Sequence, residues 1–313
     1  MGGIGIVNNP TARRNRRRPG LAARLRARLD GDGEVIDAST PEELEAAVGR
    51  LRAAEIDLLG INGGDGTGHL VLTAFARACG DHPLPRLLLL RGGAMNTVAH
   101  GHGIGGAAEA ILKAVLDQRR RGVPLRTVDR DLLRIEADGG RPAYGFIFGT
   151  GMVVTFLEAY YRTGRPSPLA ALALVLRALG SAIGSGSFAA SLMRREPLRV
   201  ETDGEEWPDA SYLTLLAGST PDIGLGFKAF SRCDEQPGFF HAVGVTASLG
   251  PLALSLPRLR AGRPWRRRHA LDEVARELLL TSDRPRFTVD GDLYQAEAQV
   301  RVSTGPAVEI VVP

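Results

Sequence analysis

The sequence holds little cysteine: Cys79 and Cys233 are the only two, and they lie far apart. That excludes a disulfide framework and a cysteine-based zinc site, and it points to a reducing compartment. Aromatic residues are sparse at 5%. They do not interleave with basic residues in the manner used to stack bases, which argues against nucleic acid as a partner. Long apolar runs are missing too. The longest, Leu169 to Ile183, is interrupted by Arg177; it is too short to span a bilayer and reads as a mostly buried helix. No charged leader precedes a long apolar run, so no signal peptide is expected. Lysine is nearly absent. Only Lys113 and Lys228 occur, so arginine carries almost all the positive charge of a chain with net charge +4. A basic balance attracts phosphate in general, on nucleotides, nucleic acid or an anionic membrane, and its sign does not choose among them.

What remains is an ordinary globular composition over 313 residues, 44% hydrophobic and 24% charged, enough for one large or two modest domains. The first part alternates strand and helix. Strands are expected at Ile4 to Asn8, Glu34 to Ala38, Ile56 to Ile61 and Leu84 to Leu90. Helices are expected at Leu21 to Leu29, from Pro41 to about Ala54, and at Ala107 to Arg119. Thr40-Pro41-Glu42-Glu43 has the form of a capping box with proline at the first helical position. This alternation predicts a parallel sheet covered by helices. After about Val128 the pattern changes. Helical stretches at Phe156 to Tyr161 and Leu169 to Ile183 give way to short β-rich runs, among them Tyr212 to Ala217, Phe239 to Thr246 and Val308 to Val312. The expected division is therefore an α/β domain over residues 1–128 and a second domain, mainly antiparallel strands, over residues 129–313.

The most informative segment is Asn62-Gly63-Gly64-Asp65-Gly66-Thr67. It follows the third strand directly and precedes the helix-like Leu70 to Cys79. Three glycines let the backbone approach a ligand and reach positive φ, and the following helix start offers free N–H groups and the positive end of its dipole. That is a phosphate cradle. Asp65 inside it would repel phosphate unless it holds Mg²⁺ or takes a proton, and either role fits phosphoryl transfer. No lysine is present, so this is not the Gly-Lys-Ser/Thr P-loop, and the spacing is not Gly-x-Gly-x-x-Gly.

The G-G-D-G-T string resembles the nucleotide loop shared by diacylglycerol kinases, sphingosine and ceramide kinases, NAD kinases and 6-phosphofructokinases. Asn9-Pro10-Thr11-Ala12 looks like the N-P-x-S/A element that opens the diacylglycerol kinase catalytic domain. Thr40 matches a position that contacts ATP in that family, Gly92-Gly93-Ala94-Met95-Asn96 resembles its G-T-x-N-D element, and Asp290-Gly291-Asp292 resembles its D-G-E element. The order of these pieces is similar to that of the bacterial single-chain enzymes and covers essentially the whole chain. The resemblance implies an α/β nucleotide domain followed by a β-sandwich-like domain, with the active site in the cleft between them. It implies an ATP-dependent lipid kinase, cytoplasmic and peripheral at the inner membrane surface, and a homodimer is compatible with it. ATP would be held by Asn9, Thr40, Gly63, Gly64, Gly66, Thr67 and Asn96. Asp65 would hold Mg²⁺, and Asp290 or Asp292 would take the proton from the acceptor hydroxyl of diacylglycerol, ceramide or a sphingoid base.

There are departures from the family pattern. Leu70 stands where a Glu is usual, Ala94 and Thr97 replace a Thr and an Asp, and Asp292 replaces a Glu. Residues Cys233 to Gly238 match poorly with the structural metal site of bacterial members. These features keep a degenerate nucleotide- or lipid-binding relative in view, beside an NAD-kinase-like phosphotransferase. Asp203-Gly204-Glu205 matches D-G-E better than the later triplet, but reads as a hairpin turn. The basic stretch Leu256 to Arg268, with Trp265, fits either a membrane interface or a solvated loop. Arg13 to Arg18 forms a second basic cluster, either meeting ATP phosphates or lying on a plain surface. His69, His100 and His102 read as histidines of wet loops rather than as metal ligands.

Overall fold

A computed structural model describes residues 3–80, 82–164, 167–183, 187–208, 211–266 and 268–313. The chain divides into two compact units, residues 1–132 with 306–313, and residues 133–305. The expected boundary at Val128 therefore lies a few residues early, and the end of the chain belongs to the first unit rather than the second.

The first unit is the expected α/β body. It comprises β1 (Ile4–Asn8), α1 (Leu21–Leu29), β2 (Gly33–Asp37), α2 (Pro41–Ala53), β3 (Leu58–Asn62), α3 (Asp65–Cys79), β4 (Arg86–Leu89), α4 (Thr97–Gly101), α5 (Ala108–Arg120) and the first part of β5 (Thr127–Ala137), whose last residues belong to the second unit. The strand order is β2-β1-β3-β4, all parallel, and Ile310 extends the sheet by pairing in parallel with Leu87. β1 and β3 are buried along their whole length, as strands covered on both faces must be. α1 packs with α5, and α2 with α3. That pairing follows from right-handed crossovers, because the chain moves one way from β1 to β2 and the other way from β2 to β3. α2 starts as its sequence dictates. Thr40 accepts from the Glu43 N–H at 3.3 Å, and Glu43 accepts from the Thr40 N–H at 3.2 Å.

The second unit is built on antiparallel sheets. Six strands run in the order Ala270–Ala275, Phe240–Val245, Thr214–Gly218, Ile147–Thr150, Arg286–Val289 and Asp292–Gln295. A second antiparallel set joins Glu205–Glu206, Arg199–Thr202 and Glu277–Thr281 with the beginning of Gln299–Val311. Phe148, Leu215 and Phe287 from the first set and Val200, Leu278 and Val300 from the second share one core. The sandwich-like expectation is met. Among the described residues, four helices accompany the sheets: α6 (Met152–Arg162), α7 (Pro168–Ile183), α8 (Ser187–Leu192) and α9 (Leu249–Arg260).

Two expectations for this unit are corrected. α7 is not mostly buried, since Leu169, Leu172 and Leu176 are exposed. Trp265, whose sequence context fits a membrane interface or a solvated loop, lies on neither: it is buried and donates from Nε1 to the Ala229 carbonyl at 3.0 Å. Its neighbour Arg267 lies outside the described residues.

Ile310 is fully buried in the first unit although it follows the second unit in the chain. Ile310→Ala should cost about 2–5 kcal/mol. In urea unfolding the loss is expected in the transition of the first unit, resolved by amide exchange of β3 and β4.

Candidate functional site

β1 and β3 end on asparagines placed opposite each other. Asn8 pairs in register with Asn62 on one side and with Asp37 of β2 on the other. Their side chains repeat this row. Asn62 Nδ2 donates to Asn8 Oδ1 at 2.6 Å, and Asn8 Nδ2 donates to Asp37 Oδ1 at 2.5 Å. Asn15 closes the group from the loop after β1. Its Nδ2 donates to the carbonyls of Asn9 and Asn62, both at 2.8 Å. All three asparagines are buried. Sequence reasoning passed over Asn15, and took Asn8 and Asn62 only as the end of a strand and the start of the loop. The available signal was a polar residue closing each of two otherwise apolar strands.

This row fixes where the chain leaves the sheet. β1 is followed by the segment beginning at Asn9, and β3 by Gly63. The strand order reverses direction between β1 and β3, and open parallel sheets bind ligands at the carboxyl ends of strands at such a point. Asn9 Nδ2 donates to Thr67 Oγ1 at 2.9 Å, so the two motif segments touch there.

The glycines serve proximity rather than left-handed backbone. None of Gly63, Gly64 and Gly66 has positive φ, which corrects that part of the sequence reading. Only Gly63 and Gly64 form the loop, because α3 already begins at Asp65. A Cβ on Gly63 would lie 2.4 Å from that of Thr67, and a Cβ on Gly93 would lie 2.2 Å from the Gly64 Cα. The Gly63-Gly64 and Gly92-Gly93 segments thus meet backbone to backbone. The N-cap of α3 is Gly64, and no side chain caps this helix start. Main-chain N–H groups and the positive end of a 15-residue helix are left at the site.

Asp65 turns the other way. Its carboxylate accepts from the backbone N–H groups of Asn96, Thr97 and Val98, at the start of α4. Burial nevertheless pushes its pKa up to about 6, against which those N–H groups pull it down. Asn96 is the left-handed residue before α4. It is buried, its Oδ1 accepts from the Gly93 N–H at 3.0 Å, and its Nδ2 donates to the Gly93 carbonyl at 3.1 Å. Both amide groups of Asn96 are therefore engaged in closing its own loop. Thr40 lies at the head of α2, exposed, with its hydroxyl in the capping box. His69 is buried within α3, so the expectation of a wet loop histidine fails there. Among the described residues, no three His, Cys, Asp or Glu side chains group as metal ligands.

The residues expected to supply a base belong to the second unit. Asp290 and Gly291 have φ of 48° and 98° and form the two-residue turn between Arg286–Val289 and Asp292–Gln295. The buried Asp290 carboxylate accepts from the Ile147 N–H at 2.8 Å and from the Phe146 N–H at 3.0 Å. The same device occurs twice more. Asp203, before Gly204, accepts from the N–H groups of Arg276 and Glu277; Asp138, before Gly139, accepts from those of Glu297, Ala298 and Gln299. Asp290 is accordingly a turn-former that also holds a neighbouring strand. Asp292 differs. Its carboxylate has no bonded partner among the described residues, and burial raises its pKa. A carboxylate of that kind is the better proton acceptor near neutrality.

Residues 4–128 match the family of the diacylglycerol kinase catalytic domain. No curated protein matches the chain. Among solved structures, a diacylglycerol kinase from Bacillus anthracis str. Sterne is 12% identical with a TM-score of 0.64, covering 100% of this chain and 97% of its own. A second structure from the same strain is 13% identical with a TM-score of 0.67, covering 99% and 97%. Yeast NADH kinase complexed with NADH is 11% identical with a TM-score of 0.51, covering 99% and 83%. At these identities the likeness is one of fold.

Two outcomes test this geometry. Gly93→Ala forces backbone against backbone and should cost about 1–3 kcal/mol, read by denaturant unfolding. For Asp65, burial favours the protonated form, so ionisation in the folded state costs stability. The cost is absent below the unfolded value of 3.8 and fully developed above about 6. Without ligands, Asp65→Asn should therefore melt higher than wild type at pH 8 and show no difference at pH 4. Equal melting at both pH values would remove the buried-charge assignment.

Proposed function

From the match of residues 4–128 to the diacylglycerol kinase catalytic domain, we propose that the chain is an ATP-dependent kinase whose acceptor is a lipid hydroxyl. The observation that carries this reading is the contact of Asn9 with Thr67 at the strand pair where the sheet order reverses, beside the uncapped start of α3. A helix start of bare N–H groups favours phosphate. The nucleotide phosphates lie against Gly63, Gly64, Gly66 and Thr67. Asn9 fixes the Thr67 hydroxyl, and Thr40 stands at the head of the neighbouring helix. Asn96 acts indirectly, by holding Gly93 in place.

A divalent ion fits the residues present. Mg²⁺ keeps several waters and takes only one or two carboxylates along with phosphate oxygens, so Asp65, whose carboxylate already accepts from the N–H groups at the start of α4, would hold it through water. When bound, the ion neutralises charge building on the transferred phosphoryl group. Asp292 takes the proton from the acceptor hydroxyl as it attacks the γ-phosphate, with its raised pKa suited to that role. Asp290 and the Tyr161 hydroxyl, which donates to the Gly291 carbonyl at 2.8 Å, keep the turn that carries Asp292 in shape.

A lipid acceptor is supported by the second unit's surface. Leu169, Leu172 and Leu176 recur at helical spacing along α7 and are exposed, and α9, which packs with α7, exposes Leu254. Exposed apolar side chains grouped in this way mark an interaction surface. Among the described residues no helix is long and apolar enough to cross a membrane, so the association proposed is peripheral, at the cytoplasmic face of the inner membrane.

The direct experiment supplies the purified protein with labelled ATP, Mg²⁺ and a panel of lipids in mixed micelles, and reads which lipid becomes labelled. Asp65→Asn and Asp292→Asn should each lower turnover by about 10²–10⁴-fold with the fold intact; undiminished turnover in both would end the proposal. Asp290→Ala should instead destabilise by about 1–3 kcal/mol, because it strands buried N–H groups. Leu172→Glu with Leu176→Glu should reduce activity on vesicles while sparing a short-chain soluble acceptor. Equal loss on both substrates would detach α7 from the membrane role.

A further inference from the structure

The arginines after β1 are absorbed neither by the fold nor by the proposed nucleotide loop. The segment carrying them is held firmly. The Arg14 N–H donates to the Gly92 carbonyl at 2.9 Å, and Asn15 is tied to the carbonyls of Asn9 and Asn62. Residues 15–17 then form a turn of 3₁₀ helix. The effect is to gather Arg14, Arg17 and Arg18 around a cavity of about 410 Å³, with Arg91 and the start of α5 on its other walls. Gly63, Gly64, Thr67 and Asn9 do not line it. It borders the glycine loop at Asn62, which lines it, but shares none of the proposed phosphate contacts.

Arg91 gives this cavity its meaning. It sits just beyond β4 with a left-handed backbone, φ 59°, and is only 9% exposed. Its two terminal nitrogens reach the Gly106 carbonyl at 3.2 Å and His100 Nε2 at 2.9 Å, and its Nε is buried without a hydrogen-bond partner among the described residues. It makes no ion pair among those residues. Burial and the nearby positive charge of Arg14 both act against its protonated form. A buried guanidinium beside like charges is costly unless an anion joins it.

The remaining charges are accounted for. Glu109, in the first turn of α5, pairs with Arg18 at 3.0 Å and Arg24 at 3.1 Å, and so neutralises the outer rim. Among the described residues, Arg14, Arg17 and Arg91 keep no carboxylate. α5 is 13 residues long, its N-cap is Ala107, and no side chain caps it, so its positive end opens on the same space.

We propose that this cavity is a second anion site of the first unit, which binds the phosphate group of a small phosphorylated compound or of a phospholipid headgroup. Arginine forks and a helix start are the donors that recognise phosphate bidentately, and the volume admits a phosphate with a small substituent.

The test uses full-length protein at constant ionic strength, with inorganic pyrophosphate as the probe and calorimetric titration as the readout. Pyrophosphate should bind in the absence of nucleotide. The double variant Arg14→Gln, Arg17→Gln changes two exposed side chains and should fold normally. It should bind pyrophosphate about tenfold or more weakly, with ATP affinity within about twofold of wild type. Arg91→Gln should abolish pyrophosphate binding; if it does not fold, the double variant still decides. Displacement of pyrophosphate by phosphatidylglycerol vesicles supports the site and assigns a lipid headgroup as its source. Indifference to those vesicles, with pyrophosphate still bound, supports the site and assigns a free phosphate compound. Pyrophosphate affinity unchanged in the double variant would overturn the proposal. So would a parallel loss of ATP affinity, which would return these arginines to the nucleotide loop.

Discussion

The geometry of the first unit depends on the polar row Asp37–Asn8–Asn62 that closes three adjacent parallel strands. Buried amides are expensive unless bonded, and in a low-dielectric interior their bonds are correspondingly directional. The bond from Asn62 to Asn8 across the strand pair, continued from Asn8 to Asp37, therefore holds β1 and β3 to one register, although Asn62 Oδ1 is buried without a hydrogen-bond partner among the described residues. A slip of either strand would leave amides unpaired. Because both strands end at the same level, the two motif segments emerge side by side. Asn15 extends the constraint to a third piece of chain by bonding the carbonyls of Asn9 and Asn62. The glycine loop after β3 and the arginine-rich turn are thus positioned by one group of side chains.

Around that row the backbone is packed more closely than any side chain permits. Gly64 and Gly93 touch through their Cα atoms, and Gly92 has Asn15 and Asn62 where a Cβ would stand. The repeated glycines record contact between two loops. Asp65 and Asn96 complete the arrangement from opposite directions, the one bonding the start of α4 and the other closing the turn before it. The price of this arrangement is a carboxylate held where burial resists its charge.

Much of this could be read from the sequence, for identifiable reasons. β1, α1 and the capped start of α2 carry local signals, namely an apolar run, periodicity and a Thr-Pro-Glu-Glu box. α4 went unread. It is five residues long, and its start is stabilised by Asp65, more than thirty positions earlier. The role of Asp290 was likewise hidden, because an Asp-Gly turn looks the same whether or not its carboxylate holds a distant strand, here at Phe146 and Ile147. Trp265 among arginines suggested an interface, yet its indole is bonded to the Ala229 carbonyl from a position 36 residues away. α7 misled in the opposite sense. An apolar composition says that a helix avoids water, and does not say whether protein or something else provides the shelter.

The return of residues 306–313 to the first unit has a consequence for biosynthesis. While β4 waits for Ile310, the open edge of a parallel sheet stands unpaired, and such edges invite association with other chains. Residues 133–305 must be synthesised in the interval, which at about 5–20 residues per second lasts roughly 10–35 s. The first unit therefore matures only after translation has passed through the whole of the other unit, and a chain stalled late on the ribosome would present all its glycine motifs on a sheet still lacking its final strand.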